Sequence, residues 1–195
     1  RGSFDEILTM DDVDDYGDIF SQMSFKEAIE GDLLTDYKII TIKVDNKEIA
    51  DFIKNNNLVK SNEKWGKESE ARSLASMIAL RKAMNTYPIK NAVSFHSSIE
   101  KAVRNMDVND EITDSYKYKP VETYHVSGKD PTSKRESIIQ EFSNSKRSLI
   151  TNSRCLTEGV DVPNIDCILF ADPRRSKVDI VQALGRALRK KEGKK

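Results

Sequence analysis

Residues 91–96 read NAVSFH, a short apolar and β-branched run that ends in a polar side chain, and it is the first of four such runs. A helical stretch from about Ser97 to Asn105 follows it. VETYHV (121–126) is followed by a second helix from about Thr132 to Ser143, and SLITN (148–152) and IDCILFA (165–171) are two more strands, the last leading into a helix over 178–189. Runs of this length that alternate with helical patterns are βαβ units, whose crossover helices cover the faces of a parallel sheet. The expected fold class is therefore α/β, a three-layer parallel sheet with helices on both faces.

Ligands of such sheets collect at the carboxyl ends of the strands. Those ends carry His96 and Ser97, Ser127 and Gly128, Thr151 and Asn152, and Asp172 and Pro173. Any one polar pair is ordinary loop chemistry. Four on one edge make a candidate binding surface.

The helix VDIVQALGRALR (178–189) is two-sided. At 100° per residue from Gln182, Arg186 lies near about 40° and Arg189 near about 340°, while Ile180, Val181, Leu184, Ala187 and Leu188 fall roughly between 140° and 260°. One face must dock on a core; the other stacks an amide and two guanidiniums at i, i+4 and i+7. A solvated charged face is the ordinary reading of such a pattern. Yet guanidinium is always charged and forks onto phosphate oxygens, so two arginines on a docked helix also suit a phosphoryl-transfer site that they approach from outside. Gly185, beside that polar face, costs roughly 1 kcal/mol against alanine in mid-helix, which points to a close approach there.

Working outward, residues 1–22 are acidic, broken by Gly17 and without periodicity, as in a linker; DDVDD (11–15) reads as a solvated acidic turn. Ser24 stands three residues before Glu27, the capping-box spacing, and Gly31 closes a short helix. YKIITIKV (37–44) has the near-continuous β-branched pattern of a strand covered on both faces. Residues 46–56 read as a polar helix and 57–67 as a loop; Glu68 to Tyr87 form a long helix with Leu74, Met77, Ile78, Leu80 and Met84 on its inner side, stopped by Pro88. The span 45–90, with Trp65, reads as an insertion with no chemistry beyond packing. In TEGVDVP (157–163), Gly159 permits a turn, Asp161 offers a carboxylate to a sugar hydroxyl, and Pro163 fixes the exit.

The chain has 195 residues, enough for one domain with a real core, and Lys plus Arg balance Asp plus Glu at 32 each. With no global basic field, nucleic-acid binding has to be local. Cys155 and Cys167 lack ligand spacing and histidine neighbours, so neither a metal nor a disulfide framework is expected. No apolar h-region and no apolar run near 18 residues occurs, giving the expectation of a cytoplasmic protein with no membrane partner.

Together these stretches resemble the second, C-terminal RecA-like domain of superfamily 2 helicases and translocases, in the DEAD/DEAH-type, restriction-associated branch, over residues 24–190. SFHSS (94–98) is similar to motif IV, ITNSRCLTEGVD (150–161) to motifs Va and V, and QALGRALR (182–189) to motif VI, Q-x-x-G-R-x-x-R. The resemblance implies a RecA-like, P-loop-NTPase-like sheet, with residues 1–23 as a connector from a first RecA-like domain and 191–195 as a charged tail. It implies that Arg186 and Arg189 are arginine fingers on the γ-phosphate of ATP, with Gln182 beside them and Gly159 and Asp161 lining the nucleotide. It places His96, Ser97, Ser127, Gly128, Thr151, Asn152 and Arg154 along a nucleic-acid backbone, contacts that position a strand without reading its sequence.

No G-x-x-x-x-G-K-[ST] occurs: Gly128-Lys129, Gly66-Lys67 and Gly193-Lys194 each lack the partner glycine. No acidic motif follows a buried strand to hold magnesium. ATP and Mg²⁺ are thus expected mainly on the first RecA-like domain, the partner of this one, and this piece alone is expected neither to hydrolyse ATP nor to unwind. DNA is the favoured polynucleotide. An RNA helicase is an alternative, against which Gln182 stands where the H-R-x-G-R-x-G-R motif has histidine; a non-catalytic RecA-like module that binds nucleic acid or protein is another.

Overall fold

The structure, a computed structural model, describes residues 13–55, 68–153, 162, 164–173 and 177–189. Four strands, β1 (Asn91–Phe95), β2 (Glu122–Val126), β3 (Ser148–Asn152) and β4 (Cys167–Phe170), form one sheet in the order β2-β3-β1-β4. Every pairing is parallel, with Val93 opposite Ile150 and Ile168, and Tyr124 opposite Ile150. The helices are α1 (Val13–Tyr16), α2 (Phe25–Glu30), α3 (Asn46–Asn55), α4 (Glu68–Thr86), α5 (Ile99–Asp107), α6 (Asn109–Tyr116), α7 (Thr132–Asn144) and α8 (Lys177–Ala187).

Side-chain alternation divides the interior into two cores, one on each face of the sheet. Ala92 and Leu149 point to the face covered by α3, α4 and α6, where Phe52, Leu74, Met77, Ile78, Met84 and Ile112 pack. Val93, Phe95, Val126 and Ile150 point to the other, against Ile139 and Phe142 of α7 and Ala183 of α8. The crossover from β1 to β2 uses the first face and that from β2 back to β3 uses the second. Crossovers that run in opposite directions must use opposite faces when they share one hand. Three layers, as the strand–helix alternation predicts, are the result.

Several local expectations hold. Ser24 accepts the Glu27 N–H at 3.2 Å and the Glu27 carboxylate accepts the Ser24 N–H at 2.7 Å, a complete capping box. Gly31 closes α2 with an N–H to the Glu27 carbonyl, but at φ −79°, so it caps without using glycine's left-handed freedom. The five residues expected on the inner side of α4 are all buried. That helix is enclosed more widely, however. Ser73 and Arg81 are buried too, Ser73 receiving the Asn105 amide at 2.8 Å and Arg81 donating to the Thr113 hydroxyl and the Lys119 carbonyl, both at 2.9 Å. The described parts of the span read as an insertion, 45–55 and 68–90, are thus a structural layer, and α4 its centre.

Two expectations are corrected and one helix is added. Residues 37–44 form no strand: they belong to no ladder, and Tyr37, Ile39 and Ile40 are exposed, Ile39 at 85%. An apolar β-branched run records a preference for being paired and covered, not the presence of a neighbour. The helix 109–116 was not foreseen, because NDEITDSY is rich in turn-forming side chains; it is secured from a distance by Asn109, whose amide donates to the Thr123 hydroxyl at 2.8 Å. Finally, α8 ends at Ala187 rather than 189, and Val181, placed on its apolar face, is 50% exposed, while Ala183 is buried. The docked arc is centred nearer Ala183 and Ala187 than the apolar residues alone indicate. The loop expected over 57–67, the TEGVDVP segment apart from Val162, and the connector before Val13 lie outside the described residues.

The N-cap of α5 gives a direct stability test. Ser98, at extended φ and ψ, accepts the Lys101 N–H at 3.2 Å. Ser98→Ala is expected to cost about 1 kcal/mol and Ser98→Gly only a few tenths. Denaturant melts of the two variants check it, and equal losses would show that the hydroxyl does not cap.

Candidate functional site

The strand order sets the candidate edge in a line: Ser127 and Gly128 after β2, Thr151 and Asn152 closing β3, His96 and Ser97 after β1, and Asp172 after β4. The structure brings these together, and it sorts them by depth. Ser97 and Gly128 are exposed, whereas His96, Ser127, Thr151 and Asn152 are buried.

The buried members are held by one another. His96 donates its main-chain N–H to the Asn152 carbonyl at 2.9 Å, and its Nε2 lies 3.0 Å from the Ser94 hydroxyl. The Asn152 amide donates to the Ser94 carbonyl at 3.2 Å. His125, one strand over, pairs its Nδ1 with the Thr151 hydroxyl at 3.1 Å, and burial pushes its pKa down, favouring the neutral ring. These side chains form a polar layer beneath the edge, so that what faces solvent is the loop above them.

The loops after β2 and β1 are each tied by a carboxylate. Asp130 accepts the Ser127 N–H at 2.9 Å and the Lys134 ammonium at 2.8 Å, and that ammonium, with the Ser127 bond, holds the carboxyl below its ordinary range. The Lys129 N–H goes to the Ser127 hydroxyl at 3.0 Å, so the Gly128-Lys129 turn is fixed from within. Asp172 accepts the Ser97 N–H at 2.7 Å and the Lys101 ammonium at 2.8 Å. Burial alone would raise the Asp172 carboxyl; those bonds outweigh it and leave the group below the usual carboxylate range.

The other candidate patch is on α8. Gln182 is exposed and Arg186, three residues after the buried Ala183, is half-buried at the flank of the docked side. Arg186 is nine residues from the start of the helix, roughly 13 Å along its axis, so the arginine patch stands apart from the start of α8 beside the strand ends. A Cβ added at Gly185 would meet nothing within 4 Å, so the close approach that this glycine invites is not made by the described residues. Arg189 lies beyond the helix, exposed, in an isolated antiparallel bridge to Leu34. Next to it the Leu188 carbonyl accepts both the N–H of Thr35 at 2.9 Å and its hydroxyl at 3.0 Å. Sequence reading misses this clasp: its partners are 153 positions apart and no local signal marks them. Gln182 and Arg186 therefore share a helix face, while Arg189 is set by a turn and by the segment after α2.

Arg154, Gly159 and Asp161 lie outside the described residues. Among the described residues no group of three or more His, Cys, Asp and Glu could hold a metal ion, and no helix is long and apolar enough to cross a membrane. Cys167 is a free thiol whose pKa burial pushes up to about 11, too high for a reactive thiolate.

Comparison with known proteins agrees with this architecture. The helicase conserved C-terminal domain family matches residues 75–191. A Schizosaccharomyces pombe protein named as a mitochondrial ATP-dependent helicase, irc3, is 30% identical over 166 residues, 78% of this chain and 27% of that protein. The Saccharomyces cerevisiae protein named as ATP-dependent helicase IRC3 is 38% identical over 74 residues, 38% of this chain and 11% of that protein. The chain thus spans about a quarter or less of the length of these relatives. Among solved structures, the ATP-dependent Type ISP restriction-modification enzyme LlaBIII bound to DNA superposes with a TM-score of 0.76 at 27% identity, covering 95% of this chain and 13% of that one. The parallel sheet is that of RecA-like helicase C-terminal domains, and the chain belongs to the helicase conserved C-terminal domain family, as the C-terminal domain of a superfamily 2 helicase.

Proposed function

We propose that this domain is the second half of an ATP-driven translocase or helicase motor, supplying Arg186 and Arg189 to an ATP molecule held mainly by another RecA-like domain. The observation that carries the reading is the build of α8: Ala183 anchors it in the core while exposed Gln182 and half-buried Arg186, one turn apart, flank that anchor, beside a glycine with open space before it. The guanidinium offers donors only, which fits phosphate oxygens and not a metal, and the amide can add its own N–H donors. Magnesium held on the other domain would neutralise phosphate charge there. The chain's own part is to bring cations to the γ-phosphate when the two domains close, and to lose that target when hydrolysis is complete. Gly159 and Asp161 complete the nucleotide side of this reading, Asp161 toward the ribose.

The second grip is on nucleic acid, along the edge that presents Ser97 and Gly128, with His96, Ser127, Thr151 and Asn152 shaping it from beneath and Arg154 beside it. DNA is favoured, since the structure that this chain resembles over most of its length is of a DNA-bound enzyme. Opening and closing of the cleft while both domains hold one strand would move the protein along it.

ATP turnover by this piece and by a longer protein that includes the upstream domain, each with duplex DNA, with single-stranded RNA and with neither, is the deciding measurement. We expect turnover only in the longer protein, with DNA as the better stimulant. Turnover by this piece alone would defeat the division of labour, better stimulation by RNA would move the assignment to an RNA helicase, and none in either would leave a binding module.

A further inference from the structure

The end of β4, from which the chain leads to α8, is held more firmly than a connection requires. Asp172 stands at the carboxyl end of β4, five positions before Lys177, where α8 begins. One carboxylate oxygen takes the Ser97 N–H, the other the Lys101 ammonium, and the two side chains of that ion pair are only 13% and 20% exposed. Lys101 is itself built in: its carbonyl accepts the Asn105 amide at 2.8 Å, and that amide also reaches Ser73 of α4. The neighbouring Ala171 carbonyl accepts the Ser76 hydroxyl of α4 at 3.3 Å. The residues that end β4 are thereby fastened both to the loop that exposes Ser97 and to the central helix. A carboxylate this enclosed is tolerated only because it is paired and hydrogen-bonded.

We propose that Asp172 is a positioning residue that couples the nucleic-acid-facing edge to the arginine helix, an inference that rests on the motor reading above. A phosphate brought to Ser97 carries the same sign of charge as Asp172 and competes for the same two donors, the Ser97 N–H and the Lys101 ammonium. Occupancy of the edge therefore changes how Asp172, and with it the start of α8, is held. A ligand shifts a conformational equilibrium only through such a difference in interaction between its states.

The test uses the longer protein that includes the upstream domain, with linear duplex DNA and a mixed-sequence single-stranded RNA as probes, and reads the ratio of stimulated to basal ATP turnover. Asp172→Ala and Lys101→Met are each expected to leave basal turnover and the KM for ATP within about twofold and to lower the ratio on the order of tenfold. Thermal melts accompany both, and if Asp172→Ala does not fold, Lys101→Met decides. An unchanged ratio, or a fall of basal and stimulated turnover together, overturns the coupling, since a merely structural loss would not separate them. If the unaltered protein is stimulated by neither probe, the motor reading itself fails and this inference with it.

Discussion

Replacing Arg186 by alanine in the longer protein is expected to lower nucleic-acid-stimulated ATP turnover by about 10³- to 10⁵-fold, the usual contribution of an arginine finger, while ATP still binds. The sign and the size come from where charge develops. In phosphoryl transfer the oxygens of the moving group carry negative charge, and a preorganised cation aimed at them is worth most when it need not reorganise at the moment of reaction. Arg186 meets that condition because its helix is anchored by Ala183 in the core and closed at its far end by Thr35 on the Leu188 carbonyl. Lysine at 186 should restore only part of the rate, since an ammonium is a point charge without the planar fork. ATP affinity measured with a fluorescent analogue separates the two roles. Near-normal turnover in the alanine variant would remove Arg186 from the reaction, and an equal loss of ATP binding would make it a binding residue instead.

The periodicity of 178–189 stacks Arg189 on one helix face with Arg186 only if the helix runs on to it. The backbone ends α8 at Ala187, and Arg189 takes its direction from a bridge to Leu34 that no periodicity in 178–189 could announce. The same limit explains the other departures. Strands β1 to β4 and the helices that follow them were readable because apolar runs and their spacing are local properties, and each falls within a few residues of its expected place. Residues 37–44 have the same local property and no strand, because pairing needs a neighbour that pattern cannot supply. Depth was equally invisible: polar residues end all four strands alike, and only the packing distinguishes exposed Ser97 and Gly128 from buried His96, Thr151 and Asn152. The Asp172 clasp on Ser97 and Lys101 spans more than 70 positions, so the sequence offered a polar residue at the right edge and nothing about its partners.

The largest loss of stability should follow from Phe142→Ala, by about 3–5 kcal/mol. Phe142 is fully buried in the core between α7 and the sheet, and the ring of Tyr124 meets it edge to face at a centroid distance of 6.4 Å. Truncation removes that contact and leaves a cavity that α7 cannot simply close. The Phe142 carbonyl accepts the Ser148 hydroxyl at 2.8 Å, and the same hydroxyl oxygen lies 3.0 Å from the Asn91 side-chain amide, so the end of the helix is registered to the start of β3 and β1. Ser145 adds a second tie, its hydroxyl 2.9 Å from that of Tyr124. For a domain of this size the expected cost corresponds to a melting temperature lower by about 10 °C. Because α7 starts just after the turn that presents Gly128, hydrogen exchange at Gly128 and Lys129 should quicken in the same variant, joining core packing to the edge that we assign to nucleic acid. A loss under about 1 kcal/mol would mean that α7 moves inward to fill the space, which its bonds to Ser148 and Tyr124 oppose. Ile139→Val, one turn away in the same core, removes a single methylene and should cost only about 0.5–1.5 kcal/mol, so the contrast between the two variants isolates the aromatic anchor.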